Sequence, residues 1–93
     1  MGKFRVTLTD KAKLDVEKHY KSGNKATIKK LEQIFKELSE HPYSGLGQPE
    51  KLKYDFAGKW SRRINQKDRM IYTVNNSTVV VDVISAMGHY SDK

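Results

Sequence analysis

The succession of apolar patterns along the chain predicts an α+β fold in which two N-terminal helices pack on one face of a small, mainly antiparallel β-sheet. Three observations predict it. Residues 3–8 alternate with the period of a strand, the apolar positions of residues 25–40 recur at helical spacing, and the second half of the chain breaks into short alternating runs separated by turn residues. Hairpin-spaced strands pair antiparallel, and a helix with an apolar stripe needs an apolar sheet face against which to bury it.

In KFRVTL, residues 3–8, Phe4, Val6 and Leu8 alternate with Lys3, Arg5 and Thr7, as in a half-buried strand. Thr9 or Asp10 is a natural N-cap for a short helix that Gly23 and Asn24 stop, with Ala12, Leu14, Val16 and Tyr20 as its expected apolar face. The next segment, KATIKKLEQIFKELSE, sets Ile28, Leu31, Ile34, Phe35 and Leu38 on one helical stripe. Pro42, Gly45, Gly47 and Pro49 then mark a turn-rich loop. Beyond it, residues 51–56, 58–65, 69–76 and 77–87 read as strands, with Asn75, Asn76 and Ser77 as a hairpin turn. Along the second of these runs Trp60, Arg62 and Ile64 project to one side, and Lys59, Ser61, Arg63 and Asn65 to the other. In the third, Met70, Tyr72 and Val74 oppose Arg69, Ile71 and Thr73. With Trp60, Met70 and Tyr72 turned to the helices, Arg63 and Arg69 face outward together.

A chain of 93 residues and 10.7 kDa makes one domain, residues 1–93, with a small core. The absence of cysteine excludes disulfides, thiolate metal sites and cysteine nucleophiles. With no apolar run long enough for a bilayer and no hydrophobic leader, the expected location is the cytoplasm. His19, His41 and His89 fall in different elements without ligand spacing, and no phosphate-cradling or dinucleotide motif is present, so neither metal nor cofactor is expected. The formal charge of +7 and a pI near 9.7 favour a polyanionic partner. The excess is local: residues 50–69 hold seven Lys and Arg against three acids.

Like charges on adjacent strands destabilise a sheet, so two outward arginines call for an anion between them, and the arginine fork suits phosphate oxygens. Arg63 with Arg69, and Arg62 beside them, are the candidate phosphate-binding cations, whereas Lys51, Lys59 and Lys67 fit solvated charges. Glu50 follows Pro49 in the loop, and His89 and Tyr90 follow the last strand. Cleavage of RNA by its own 2′-hydroxyl needs a base, cations for the transition state and an acid for the departing 5′-oxygen, which Glu, Arg and His can supply without a metal. The same basic face also suits a non-catalytic RNA- or rRNA-binding module, with Trp60 or Tyr54 as a stacking surface, or a module for an acidic protein. Only the nuclease needs Glu50 and His89 to converge on that face.

GLGQPEKLK, GKWSRRI, RMIYTV and the near-terminal HY, in that order over roughly the whole chain, resemble the YoeB/Txe branch of the RelE-like toxins of bacterial toxin-antitoxin systems. The resemblance implies a microbial-ribonuclease-like fold and a toxin that cleaves translated mRNA in the ribosomal A site, neutralised by a YefM-like antitoxin. It further allows a homodimer or a toxin-antitoxin hetero-oligomer. Carried across residue by residue, it makes Glu50 the general base, Arg69 the cation that stabilises the transition-state phosphate, His89 the general acid and Tyr90 the neighbouring group that positions substrate. Lys53 and Arg63 match supporting basic positions. The chain departs from the pattern in the tail Ser91, Asp92, Lys93, which follows the tyrosine at which the family's chains stop, and in Gln48, where a basic residue is expected.

Overall fold

A computed structural model of the chain describes residues 3–53, 57–78 and 80–87. The elements follow in the order β1 (Arg5–Leu8), α1 (Asp10–Ser22), α2 (Lys25–Glu40), β2 (Glu50–Lys51), β3 (Trp60–Arg63), β4 (Arg69–Asn75) and β5 (Val80–Ser85). Among the described residues the strands form one sheet in the order β1-β5-β4-β3-β2. β1 lies parallel to β5, and the other three pairings are antiparallel. The helical pair carries the chain from β1 to β2 at the opposite edge of the sheet, and the antiparallel run β2, β3, β4, β5 then brings it back beside β1 in the same direction.

Both helices cover one face. Leu31, Ile34 and Leu38 of α2 and Ala12 of α1 are fully buried with Met70, Tyr72, Val81 and Val83 of the two central strands, and Phe4, Val6, Leu8, Val16, Phe35 and Trp60 pack around them. The expected orientation of Met70, Tyr72 and Trp60 toward the helices is therefore observed. α2 has the expected bounds because Asn24 starts it: the Asn24 side chain accepts a hydrogen bond from Thr27 N at 3.1 Å. Thr9 does more than cap α1. Its hydroxyl accepts from Ala12 N and donates to Ile84 O, and its own N–H reaches Val83 O, so that the start of α1 is tied to β5. The hairpins on either side of β4 both turn on asparagines. Asn65 Oδ1 accepts from the N–H groups of Lys67 and Asp68, and Asn75 Oδ1 from those of Ser77 and Thr78.

The buried face of α1 differs from the expected one. Leu14 and Tyr20 are 58% and 45% exposed, while Asp15 and His19 are buried at 4% and 3%. Burial of two polar groups is tolerable only when they are hydrogen-bonded, and both find the backbone of the same residue, Ala86. Asp15 Oδ2 accepts from Ala86 N at 3.0 Å, and His19 Nε2 lies 2.7 Å from Ala86 O, to which it donates. The end of β5 is thus clamped to α1. The strands are shorter than expected: β2 is two residues, β3 ends at Arg63, and the last run begins at Val80 after the turn. Part of the expected strand 51–56 lies outside the described residues.

Candidate active site

β3 carries the site because its alternation splits its residues between two environments. Ser61 pairs with Glu50 of β2 and Ile71 of β4, and Arg63 pairs with Arg69, so these residues share the face away from the helices. There Arg69 Nη1 stands 3.7 Å from Glu50 Oε1 and 3.0 Å from Ser61 Oγ, to which it donates a hydrogen bond. The Glu50 side chain is 55% exposed and that of Arg69 24%. A carboxylate and a guanidinium are thereby presented to solvent side by side. Arg63 is exposed directly opposite Arg69, and Lys53 stands exposed two residues beyond β2. Four of the expected site residues therefore lie at accessible positions, two of them in contact. His89 and Tyr90, expected as acid and positioning group, lie outside the described residues, as does Tyr54.

Arg62 requires a correction. Expected to bind phosphate, it is completely buried on the helix side of the sheet, ion-paired to Glu37 at 2.9 Å. All five of its N–H groups are used. Nε donates to Tyr72 Oη, Nη1 to Glu37 Oε1 and Leu46 O, and Nη2 to Ser44 O and His41 O. The three carbonyls belong to the loop of residues 41–49, and Tyr72 Oη donates to a fourth, that of Pro42, at 2.7 Å. Arg62 thus folds the loop whose end is Glu50.

The loop's glycines explain how closely it can lie on that charge. Gly47 has φ +80°, and a Cβ there would come within 2.6 Å of Arg63 O. Its own carbonyl accepts from Arg63 N at 2.7 Å, extending the ladder of β3 into the loop. At Gly45, with φ +117°, a Cβ would collide with Glu37 Oε1, the oxygen that holds Arg62. Burial pushes the Tyr72 phenol above its ordinary value, and the neighbouring Arg62 guanidinium pulls it partly back.

Sequence reasoning missed Ser61, Glu37 and the role of Arg62. Strand alternation does place Ser61 beside Arg63 on the outer face, but a serine in a strand carries no signal of what it bonds. Glu37 sits on α2 among other charged residues, and its contact with Arg62 spans 25 positions. A cavity of about 640 Å³, lined by Lys18, His19, Asn65, Lys67 and Met87 among others, includes neither Glu50 nor Arg69. Among the described residues no three His, Asp or Glu side chains gather as metal ligands, and no helix is long and apolar enough to cross a membrane.

Comparison with known proteins places the chain in a family. Residues 9–90 match the model described as the YoeB-like toxin of bacterial type II toxin-antitoxin systems. Toxin YoeB of Synechocystis is 34% identical over 71 residues, covering 76% of this chain and 80% of that protein. A YoeB/ParE toxin from Agrobacterium tumefaciens superposes with a TM-score of 0.83 at 32% identity, over 94% of this chain and all of that one. The YoeB subunit fold also recurs in a heterotetrameric YoeB-YefM toxin-antitoxin complex from Staphylococcus aureus, with TM-score 0.76 and 32% identity over 94% of this chain and 98% of the other.

Proposed function

The chain belongs to the YoeB-like toxins of bacterial type II toxin-antitoxin systems, and from that premise we propose that it is a ribosome-dependent endoribonuclease that cleaves mRNA during translation. The observation that carries the reading is the Glu50–Arg69 pair, a carboxylate and a guanidinium 3.7 Å apart on the accessible sheet face. In the proposed reaction Glu50 takes the proton from a ribose 2′-hydroxyl. The freed oxygen attacks the adjacent phosphorus and the bond to the 5′-oxygen breaks. Arg69, with Arg63 and Lys53, offsets the negative charge that builds on the phosphate oxygens in the transition state. His89 gives a proton to the departing 5′-oxygen, and Tyr90 steadies the substrate beside it. The products are a 2′,3′-cyclic phosphate and a 5′-hydroxyl, and the side chains suffice for every proton transfer.

Glu50, the proposed base, lies on a two-residue edge strand reached through a loop held by Arg62, and Arg63 and Arg69, the proposed phosphate-binding arginines, lie on β3 and β4, an arrangement that supports the reading. Such rigid support is what positional catalysis requires. An antitoxin is the proposed partner, in keeping with the YoeB-YefM complex from Staphylococcus aureus, and the chain's net charge of +7 suits an acidic binding segment.

The test is to map 3′ ends on a message under translation with the purified protein added. Discrete ends that vanish with Glu50→Gln and fall by about a hundredfold or more with Arg69→Ala are expected. Binding to ribosomes without new 3′ ends would favour the non-catalytic RNA-binding module instead.

A further inference from the structure

The accessible pair of Glu50 and Arg69 rests on a buried serine. Ser61 lies between Glu50 and Ile71 in the sheet, has no solvent exposure, and receives a 3.0 Å hydrogen bond from Arg69 Nη1. The same Nη1 is 3.7 Å from Glu50 Oε1. A guanidinium beside a carboxylate ordinarily closes to about 2.7 to 2.9 Å, and the arginine side chain has ample rotamer freedom to do so. Here the short bond goes to the neutral hydroxyl. We propose that Ser61 is a positioning residue that holds the Arg69 guanidinium by Nη1 and keeps it from closing into a direct hydrogen-bonded pair with Glu50. The proposal rests on the reading of Glu50 as base and Arg69 as phosphate-binding cation.

The separation matters to both partners. A carboxylate that accepts close hydrogen bonds from a guanidinium is a weaker base, because the pair stabilises its ionised form. A guanidinium spent on a carboxylate has fewer N–H groups to aim at a phosphate. Closure would weaken both at once. The hydroxyl suits the task because its Cα is fixed by strands on either side: β3 pairs with β2 at Glu50 and with β4 at Ile71. Its oxygen is placed by the sheet rather than by a mobile side chain.

The experiment compares initial cleavage rates on one translated message for wild type, Ser61→Ala, Ser61→Thr, Arg69→Ala and the double variant Ser61→Ala with Arg69→Ala. Ser61→Ala removes one oxygen and is expected to lower kcat about tenfold, the worth of one hydrogen bond to a charged group, while KM stays within about twofold. Ser61→Thr keeps the oxygen and is expected to restore kcat to within about threefold of wild type. In the Arg69→Ala background the serine has lost its partner, so Ser61→Ala should cost nothing further. An undiminished loss there would overturn the proposal, since the serine would then act through packing. This arm remains decisive if Ser61→Ala melts earlier, because a stability defect persists in the double variant and a positioning defect does not. Wild-type kcat in Ser61→Ala, with Glu50→Gln inactive in the same assay, would overturn the positioning role and leave the nuclease reading standing. Full activity in Glu50→Gln would overturn the nuclease reading, and the proposal with it.

Discussion

Adjacent residues of β3 put the same side chain to opposite uses. Arg63 is exposed beside Arg69, whereas Arg62 is enclosed, and every N–H group it has is taken by Glu37, Tyr72 and three loop carbonyls. A buried charge contributes little to stability as such, but removing one partner strands the others. Arg62→Met is therefore expected to destabilise the fold by about 3 to 5 kcal/mol, and Arg63→Ala by no more than about 0.5 kcal/mol, as read from chemical denaturation midpoints. Tyr72 belongs to the same network, donating to Pro42 O and accepting from Arg62 Nε. Its pKa is raised in the folded protein, chiefly by burial. Folded Tyr72 thus keeps its proton at a pH where the unfolded chain releases it. Its contribution is whole below its ordinary value of 10.0 and is lost as pH rises through the folded value. Tyr72→Phe should cost about 1 to 3 kcal/mol at neutral pH and lose less stability than wild type on going to strongly alkaline pH. Melting curves at the two pH values check both parts.

The two helices show what a local pattern can and cannot reveal. α2 was legible from end to end, because Asn24 caps it and its apolar stripe is uninterrupted, leaving Leu31, Ile34 and Leu38 fully buried. α1 was legible in its ends but not in its face. Leu14 and Tyr20 match a helical spacing as well as the buried positions do, and nothing nearby in sequence announces that Asp15 will meet Ala86, 71 residues on. Polar residues that are buried because a distant peptide satisfies them look, in the sequence, like surface. The energetic consequence inverts the usual ranking of apolar over polar. Leu14→Ala should change stability by less than about 0.5 kcal/mol, whereas Asp15→Ala leaves a buried N–H without its acceptor and should cost about 1 to 3 kcal/mol. Ile34→Ala, which opens a cavity in the core, should cost about 2 to 5 kcal/mol. Thermal denaturation of the three variants tests the order, and a Leu14 variant less stable than the Asp15 variant would restore the face expected from periodicity.

At the scale of the whole molecule, strand alternation divides the basic charge as well as the apolar surface. The cluster between residues 50 and 69 looked uniform in sequence, and its outward half, Arg63 and Arg69, followed from alternation alone. Arg62 did not, because alternation assigned it to the helix side without supplying a reason for a cation there. The reason is Glu37 and a loop that offers Arg62 three carbonyl acceptors, all distant in sequence. Binding of a basic protein to RNA releases one counterion for roughly each phosphate neutralised, so log affinity falls linearly with log salt concentration, and the slope counts contacts. A cation that meets phosphate contributes to the slope, and one that holds a loop does not. Arg63→Ala is therefore expected to reduce the slope by about 1 with the fold unchanged. Arg62→Met, measured where it is still folded, should leave the slope at the wild-type value even though its melting temperature is far lower. Fluorescence titrations of a labelled single-stranded RNA across a salt series separate the two arginines, and a reduced slope in the Arg62 variant would return that residue to the RNA-binding face.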